Sequence, residues 1–176
     1  LSKKSKYCLS FEPDLKAFGK LVKNIEINNL NNVFPFRYCL HNESGFKNFT
    51  NTDYSLINRL INPKYETSVT RKEGKILVAT NTFDNLITPL LQNKNPEQTI
   101  LVKIDVETNE PFVLKGAKKF LELNIPIILC VEYPDEAAYE EVFNIMDEFG
   151  FNKTNPPLGD DGSNAFFSNN IKIRTS

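Results

Sequence analysis

Carboxylates closing apolar runs are the groups in this sequence best placed to do chemistry. Asp105 and Glu107 end the run Thr99-Ile100-Leu101-Val102-Lys103-Ile104, with Glu110 a short turn further on. Alternating about Val106, they would project from one face of an extended strand. That spacing suits a Mg²⁺ site or a general base with its partner, and equally a solvated acid followed by helix-start carboxylates. Glu132 ends the apolar run 125–133 in the same way, and Glu12 ends the short run 6–11. A carboxylate at such a strand end can accept hydrogen bonds from both hydroxyls of a ribose, since two adjacent donors match its two oxygens. It can also serve simply as a helix N-terminal acid. His41, with Asn42, closes the run 33–40 and is the one histidine of the chain.

Other chemistries are excluded or weak. One histidine rules out a His-rich zinc site, and no Gly-x-Ser-x-Gly elbow accompanies it. None of the seven glycines forms a Gly-x-Gly turn after a strand, and Gly159-Asp160-Asp161-Gly162 lacks the ligand ladder of an EF-hand and reads as a turn. Residues 1–80 carry thirteen basic and seven acidic side chains, residues 81–176 eight and fifteen. The halves thus differ in sign, but no Lys/Arg block is interleaved with aromatics, so nucleic acid is not an expected partner. Cys8, Cys39 and Cys130 form no Cys-x-x-Cys pair, and each lies in an apolar stretch where a buried thiol is expected.

The elements that must position these groups follow from periodicity. Residues 6–11 read as a strand, stopped by Pro13 and followed by a helix with Phe18, Leu21, Val22 and Ile25 at helical spacing. A strand over 33–40 completes a β-α-β unit. Residues 46–81 break the rhythm: 46–49 and 76–79 are expected as hairpin strands around a long polar insertion on the substrate side. Strands over 99–106 and 125–133 are apolar enough to be buried on both faces. Between them a helix is expected from Pro111 through Leu123, and after Pro134-Asp135 another with Ala138, Val142, Ile145, Met146 and Phe149 on one face. Residues 164–168 and 171–174 are expected to close the sheet as an antiparallel pair. Strand and helix alternate, which argues for a doubly wound α/β sheet.

A chain of 176 residues has the length of one domain and buries roughly 70% of its unfolded surface. One domain over 1–176 is therefore expected, with the insertion at about 46–81. The longest wholly apolar run, Ile127-Ile128-Leu129-Cys130-Val131, is far below the roughly 20 residues of a membrane-spanning helix. The sequence opens on Leu1 with a strand almost at once, so a segment upstream is expected.

In order, Ser10-Phe11-Glu12-Pro13-Asp14, Cys39-Leu40-His41-Asn42 with Gly45, Thr82-Phe83-Asp84-Asn85-Leu86, Lys103-Ile104-Asp105-Val106-Glu107 with Glu110, and Val113-Leu114-Lys115-Gly116-Ala117 carry a family likeness. Over about residues 6–135 the chain resembles the FkbM family of S-adenosylmethionine-dependent methyltransferases. The resemblance implies a class I, Rossmann-like doubly wound sheet, mostly parallel with a C-terminal antiparallel strand, here lacking its first strand and first helix. It implies methyl transfer from S-adenosylmethionine to a hydroxyl oxygen of a sugar or small natural product, so the expected partner is a small-molecule or carbohydrate acceptor. Glu12 would hold the cofactor ribose, and His41 and Asn42 would border the adenine. Asp105 would face the methionine end or the acceptor, beside Glu107 and Glu110, with Asp105 or Glu107 as base. Two positions depart from the pattern. Thr108 stands where members usually carry glycine, and the Asp-x-Gly-x-x-x-Gly turn that cradles the methionine is not among these residues. A methyltransferase-like scaffold acting by binding, and a Mg²⁺-dependent enzyme using Asp105, Glu107 and Glu132, are the alternatives.

Overall fold

The computed structural model describes residues 4–51, 58–61, 74–91, 98–133, 136–154 and 164–169. They fall into two compact units, Leu1–Asn81 and Thr82–Ser176. Most of the polar part of the insertion, the Pro134-Asp135 helix start, the Gly159–Gly162 turn and the expected strand at 171–174 lie outside the described residues.

In the first unit, β1 (Cys8–Phe11) pairs in parallel with β2 (Val33–Phe36), Cys8 opposite Val33 and Phe11 opposite Phe36. Pro13 cannot donate to a ladder, so the chain turns there. Asp14 caps α1 (Leu15–Ile27) by accepting from the Ala17 N–H at 2.7 Å. The apolar stripe of α1, Phe18, Leu21, Val22 and Ile25, is half-buried. The helix ends at Asn28-Asn29, where Asn29 takes a φ of 52°, a conformation asparagine tolerates.

The single strand expected over 33–40 is two. The chain leaves β1 after Phe36, and β3 (Cys39–Leu40) pairs in parallel with the end of β5 (Gly74–Asn81). Across β5, β4 (Gly45–Asn51) runs antiparallel, setting Phe46 opposite Ala79 and Phe49 opposite Ile76. Residues 58–61 line the outer edge of β4 through Thr50 N–H to Arg59 O (2.9 Å) and Ile61 N–H to Asn48 O (3.0 Å). That contact seats Leu60 in a small core with Cys39, Phe49 and Val78. The hairpin strands are thus part of a three-stranded sheet with its own core.

The second unit opens with α2 (Phe83–Leu86) and α3 (Thr88–Leu91), and contains the sheet β6 (Ile100–Ile104), β7 (Ile127–Glu132), β9 (Asn164–Asn169) and β8 (Phe151–Thr154), in that spatial order. β6 and β7 are parallel; β9 is antiparallel to both β7 and β8. The partner of 164–169 is therefore β8 as well as β7. β8 escapes a sequence reading because Phe151-Asn152-Lys153-Thr154 holds one apolar residue. In β7, buried Ile127, Leu129 and Val131 alternate with half-buried Ile128, Cys130 and Glu132, and Leu101 of β6 is 47% exposed. These strands thus bury one face fully, not two. Val142, Ile145 and Met146 of α6 (Glu136–Glu148) are buried, as are Leu114, Phe120 and Phe167, and α6 lies against α4 (Glu110–Lys115) and β8.

The long helix expected from Pro111 through Leu123 is broken into α4 (Glu110–Lys115) and α5 (Lys118–Leu121). Asp84 causes the break. Its N–H takes Gly116 O at 3.0 Å, ending α4, while its two carboxylate oxygens take the N–H groups of Lys119 and Phe120 at 2.9 Å each, starting α5. Among the described residues the strands form three ladders rather than one continuous sheet: β1-β2, β3-β5-β4 and β6-β7-β9-β8. No helix there is long and apolar enough to cross a membrane.

Candidate active site

Glu12 follows β1 directly, and its N–H bonds Phe36 O at 3.1 Å, continuing the parallel ladder by one step. Its carboxylate Oε1 accepts the Asp14 N–H at 2.8 Å. The side chain that caps the helix is that of Asp14, and Glu12 holds the cap residue's own N–H. Burial raises the Glu12 carboxyl above its ordinary value; the Asp14 N–H works against this and the Asp14 charge adds to it. Glu12 is thus an acceptor anchored by one oxygen and partly stripped of water.

His41 sits at the end of β3, its N–H on Asn81 O at 2.9 Å, and is buried. Burial, helped by the charge of Lys47, lowers its pKa to about 4, against smaller opposing effects of Glu43 and of a side-chain hydrogen bond with Asn42. At neutral pH the ring is uncharged. Asn42 is exposed beside it. The structure therefore joins His41 to Asn42 as a neutral polar edge.

In the second unit, the parallel register Lys103 opposite Cys130 carries the chain on to Asp105 beside Glu132. These two carboxyls share a hydrogen bond, which with burial and the Asp105 charge pushes Glu132 up to about 7. Lys103 opposes that shift, its Nζ lying 3.5 Å from Asp105 Oδ2 and donating to Asn164 Oδ1 at 2.6 Å. Glu132 is thus the carboxyl of the pair whose proton is held up toward neutrality, with the Lys103 ammonium beside Asp105. Such a pair can take a proton from a substrate group and release it to water.

Glu107 is not on the same extended face as Asp105. β6 ends at Ile104, and Glu107 and Thr108 adopt φ values of 53° and 78°. The cause is Glu110, 1% exposed, whose Oε1 reaches back to the Val106 N–H at 2.9 Å and closes the turn. Burial raises the Glu110 carboxyl, against its backbone hydrogen bonds and with help from the charges of Asp105 and Glu107. Its Oε2 and the Thr108 hydroxyl are buried with no partner among the described residues. The left-handed turn that glycine would accommodate is therefore kept with a β-branched residue in it.

The trio Asp105, Glu107 and Glu132 does not gather as a cation site. Among the described residues no three His, Cys, Asp or Glu side chains are placed to hold a metal ion. Asp105 and Glu132 bond to each other, and the left-handed turn re-aims Glu107. All three cysteines are free thiols and Cys39 is buried, as expected, whereas Cys8 and Cys130 are only half-buried. Sequence reasoning missed Asp14, Asn58 and Lys103 as members of the polar network. Asp14 and Lys103 were visible beside Glu12 and Asp105, but Asn58 lies 44 residues from its partner Asp14 and left no local signal.

Parallel strands with acids at their carboxyl ends define an α/β chain of the kind whose ligands bind beyond those ends. A model of the family described as Methyltransferase FkbM domain matches residues 1–153, and the chain belongs to that family of methyltransferases. Its fold is similar to the crystal structure of methyltransferase FkbM from Methylobacillus flagellatus KT, with a TM-score of 0.53 at 13% sequence identity. The alignment covers 93% of this chain and 36% of that one, so the chain spans little more than a third of that relative's length. No curated protein matches the sequence.

Proposed function

We propose that this chain forms part of an S-adenosylmethionine-dependent O-methyltransferase acting on a hydroxyl of a sugar or small natural product. The family match over residues 1–153 carries the reading. The ladders support it. Each of the parallel pairs β1-β2 and β6-β7 has an acid just past a strand's carboxyl end, where open α/β sheets bind their ligands.

The residues present fit the cofactor. S-adenosylmethionine supplies, when bound, a methyl group on a sulfonium. Glu12, anchored through Oε1, offers acceptor lone pairs to the two ribose hydroxyls. His41, held neutral, and Asn42 offer an uncharged edge to the purine. The Asp105–Glu132 pair accepts the proton that an acceptor hydroxyl must give up, and Lys103 stabilises the charge that remains on Asp105. Holding the acceptor oxygen in line is the larger part of the rate, since positioning removes most of the entropic barrier.

Calorimetric titration with S-adenosylhomocysteine, on this chain and on one extended upstream, tests the reading. Heat with either supports it; heat with neither overturns it.

A further inference from the structure

A buried carboxylate needs compensation from hydrogen-bond donors. Asp14 is 2% exposed, and its oxygens divide the task. Oδ1 caps α1 on the Ala17 N–H at 2.7 Å, while Oδ2 accepts from Asn58 Nδ2 at 3.0 Å. A helix cap needs only the first bond. The second reaches across 44 residues to the segment that lines the outer edge of β4.

Asn58 is itself held. Its Oδ1 lies 3.5 Å from the Thr50 hydroxyl, and that hydroxyl accepts the Arg59 N–H at 2.8 Å. Thr50 is 1% and Asn58 8% exposed, so the network is shielded from water. From the other side of Asp14, its own N–H donates to Glu12 Oε1 at 2.8 Å. Every donor thus points the same way along one chain: Arg59 to Thr50, Thr50 to Asn58, Asn58 to Asp14, Asp14 to Glu12. Asp14 joins two separate groups, its carboxylate held by Asn58 and its N–H held by Glu12 Oε1, so Asn58 reaches Glu12 by fixing Asp14 in place and offsetting the charge that Asp14 sets beside it.

We propose that Asn58 and Asp14 are positioning residues that set the orientation of Glu12, so that the 58–61 segment of the insertion governs cofactor affinity. This rests on the reading of Glu12 as the ribose acid. The segment along the outer edge of β4 and the acid at the cofactor then act as one hydrogen-bonded unit.

The test uses Asn58→Leu, which removes the donor at similar volume, and Asn58→Asp, which keeps the shape. Two quantities are read: S-adenosylhomocysteine affinity by calorimetry, and the Glu12 carboxyl titration by ¹³C NMR, which requires no ligand. Asn58→Leu should weaken binding about tenfold, as expected for one buried hydrogen bond, and raise the Glu12 titration midpoint. Asn58→Asp should bind more weakly than wild type at pH 8 and recover relative to wild type toward pH 5, because the introduced carboxyl donates to Asp14 only when protonated. A purely structural Asn58 predicts lower thermal stability with both readouts unchanged, and that result overturns the inference. Should Asn58→Leu not fold, an Asn58→Asp variant that shows no pH-dependent recovery and an unmoved Glu12 also overturns it. If the wild-type and upstream-extended chains both fail to bind, the ribose role of Glu12 falls, while the Glu12 titration still decides whether Asn58 acts on it.

Discussion

Replacing Thr108 by glycine should stabilise the protein. Thr108 holds a φ of 78°, where a β-branched side chain crowds the following carbonyl, and the Glu110 bond to Val106 N–H keeps it there. Such strain costs about 1–3 kcal/mol. The hydroxyl adds to this, being buried without a partner among the described residues; an unmet hydroxyl costs about 1 kcal/mol or more. Against these gains, glycine adds unfolded-state freedom worth about 0.5–1 kcal/mol. The balance is a gain of about 1–3 kcal/mol, with Tm rising by about 2–4 °C for each kcal/mol in a chain of this size. Thermal unfolding followed by circular dichroism reads it, and urea midpoints at constant m-value confirm it. Thr108→Val, which keeps the branch and loses the hydroxyl, and Thr108→Ala, which keeps Cβ, should each gain less than glycine. A Tm for Thr108→Gly at or below wild type, or below that of Thr108→Ala, refutes the assignment of strain to this turn.

Glu132 titrates near 7 when folded against an ordinary 4.5, so its contribution to stability is complete below about 4.5 and is lost as pH rises through about 7. Urea unfolding of wild type and Glu132→Gln between pH 4 and 8 should show that downward trend weakened in the variant, and methyl transfer by wild type should rise through the same interval. Asp84→Ala should cost about 2–3 kcal/mol by urea unfolding, because it removes both caps of α5, while Asp84→Asn, which keeps one acceptor, should cost about half as much. Cys39, pushed up to about 12 by burial and by the Glu12 charge, should resist iodoacetamide at pH 8 in native protein, and mass spectrometry should find any label on Cys8 and Cys130 first.

The elements with strong periodicity were legible in the sequence: β1, α1, β6, β7, α6 and the β4–β5 pairing all follow from apolar spacing and from Pro or Asp punctuation. What was not legible depends on partners distant in sequence. The break between α4 and α5 is made by Asp84, more than thirty residues from Lys119 and Phe120, so local spacing showed a single helix. The strand expected over 33–40 divides because its two ends find different partners, β1 and β5. At the site, Glu12, His41 and Asp105 could be read as strand-end residues. The pairing of Asp105 with Glu132 rather than with Glu107 could not, because the left-handed turn at 107–108 depends on the buried Glu110. A strand-period argument fails wherever a buried side chain recaptures the backbone.

We propose that Glu12 holds the cofactor ribose. Calorimetric titration of S-adenosylhomocysteine into the upstream-extended chain and its Glu12→Ala variant tests it most directly. Measurable binding that weakens by about tenfold or more in the variant, with its thermal stability retained, is the predicted result. Equal affinity in the two proteins would contradict the account.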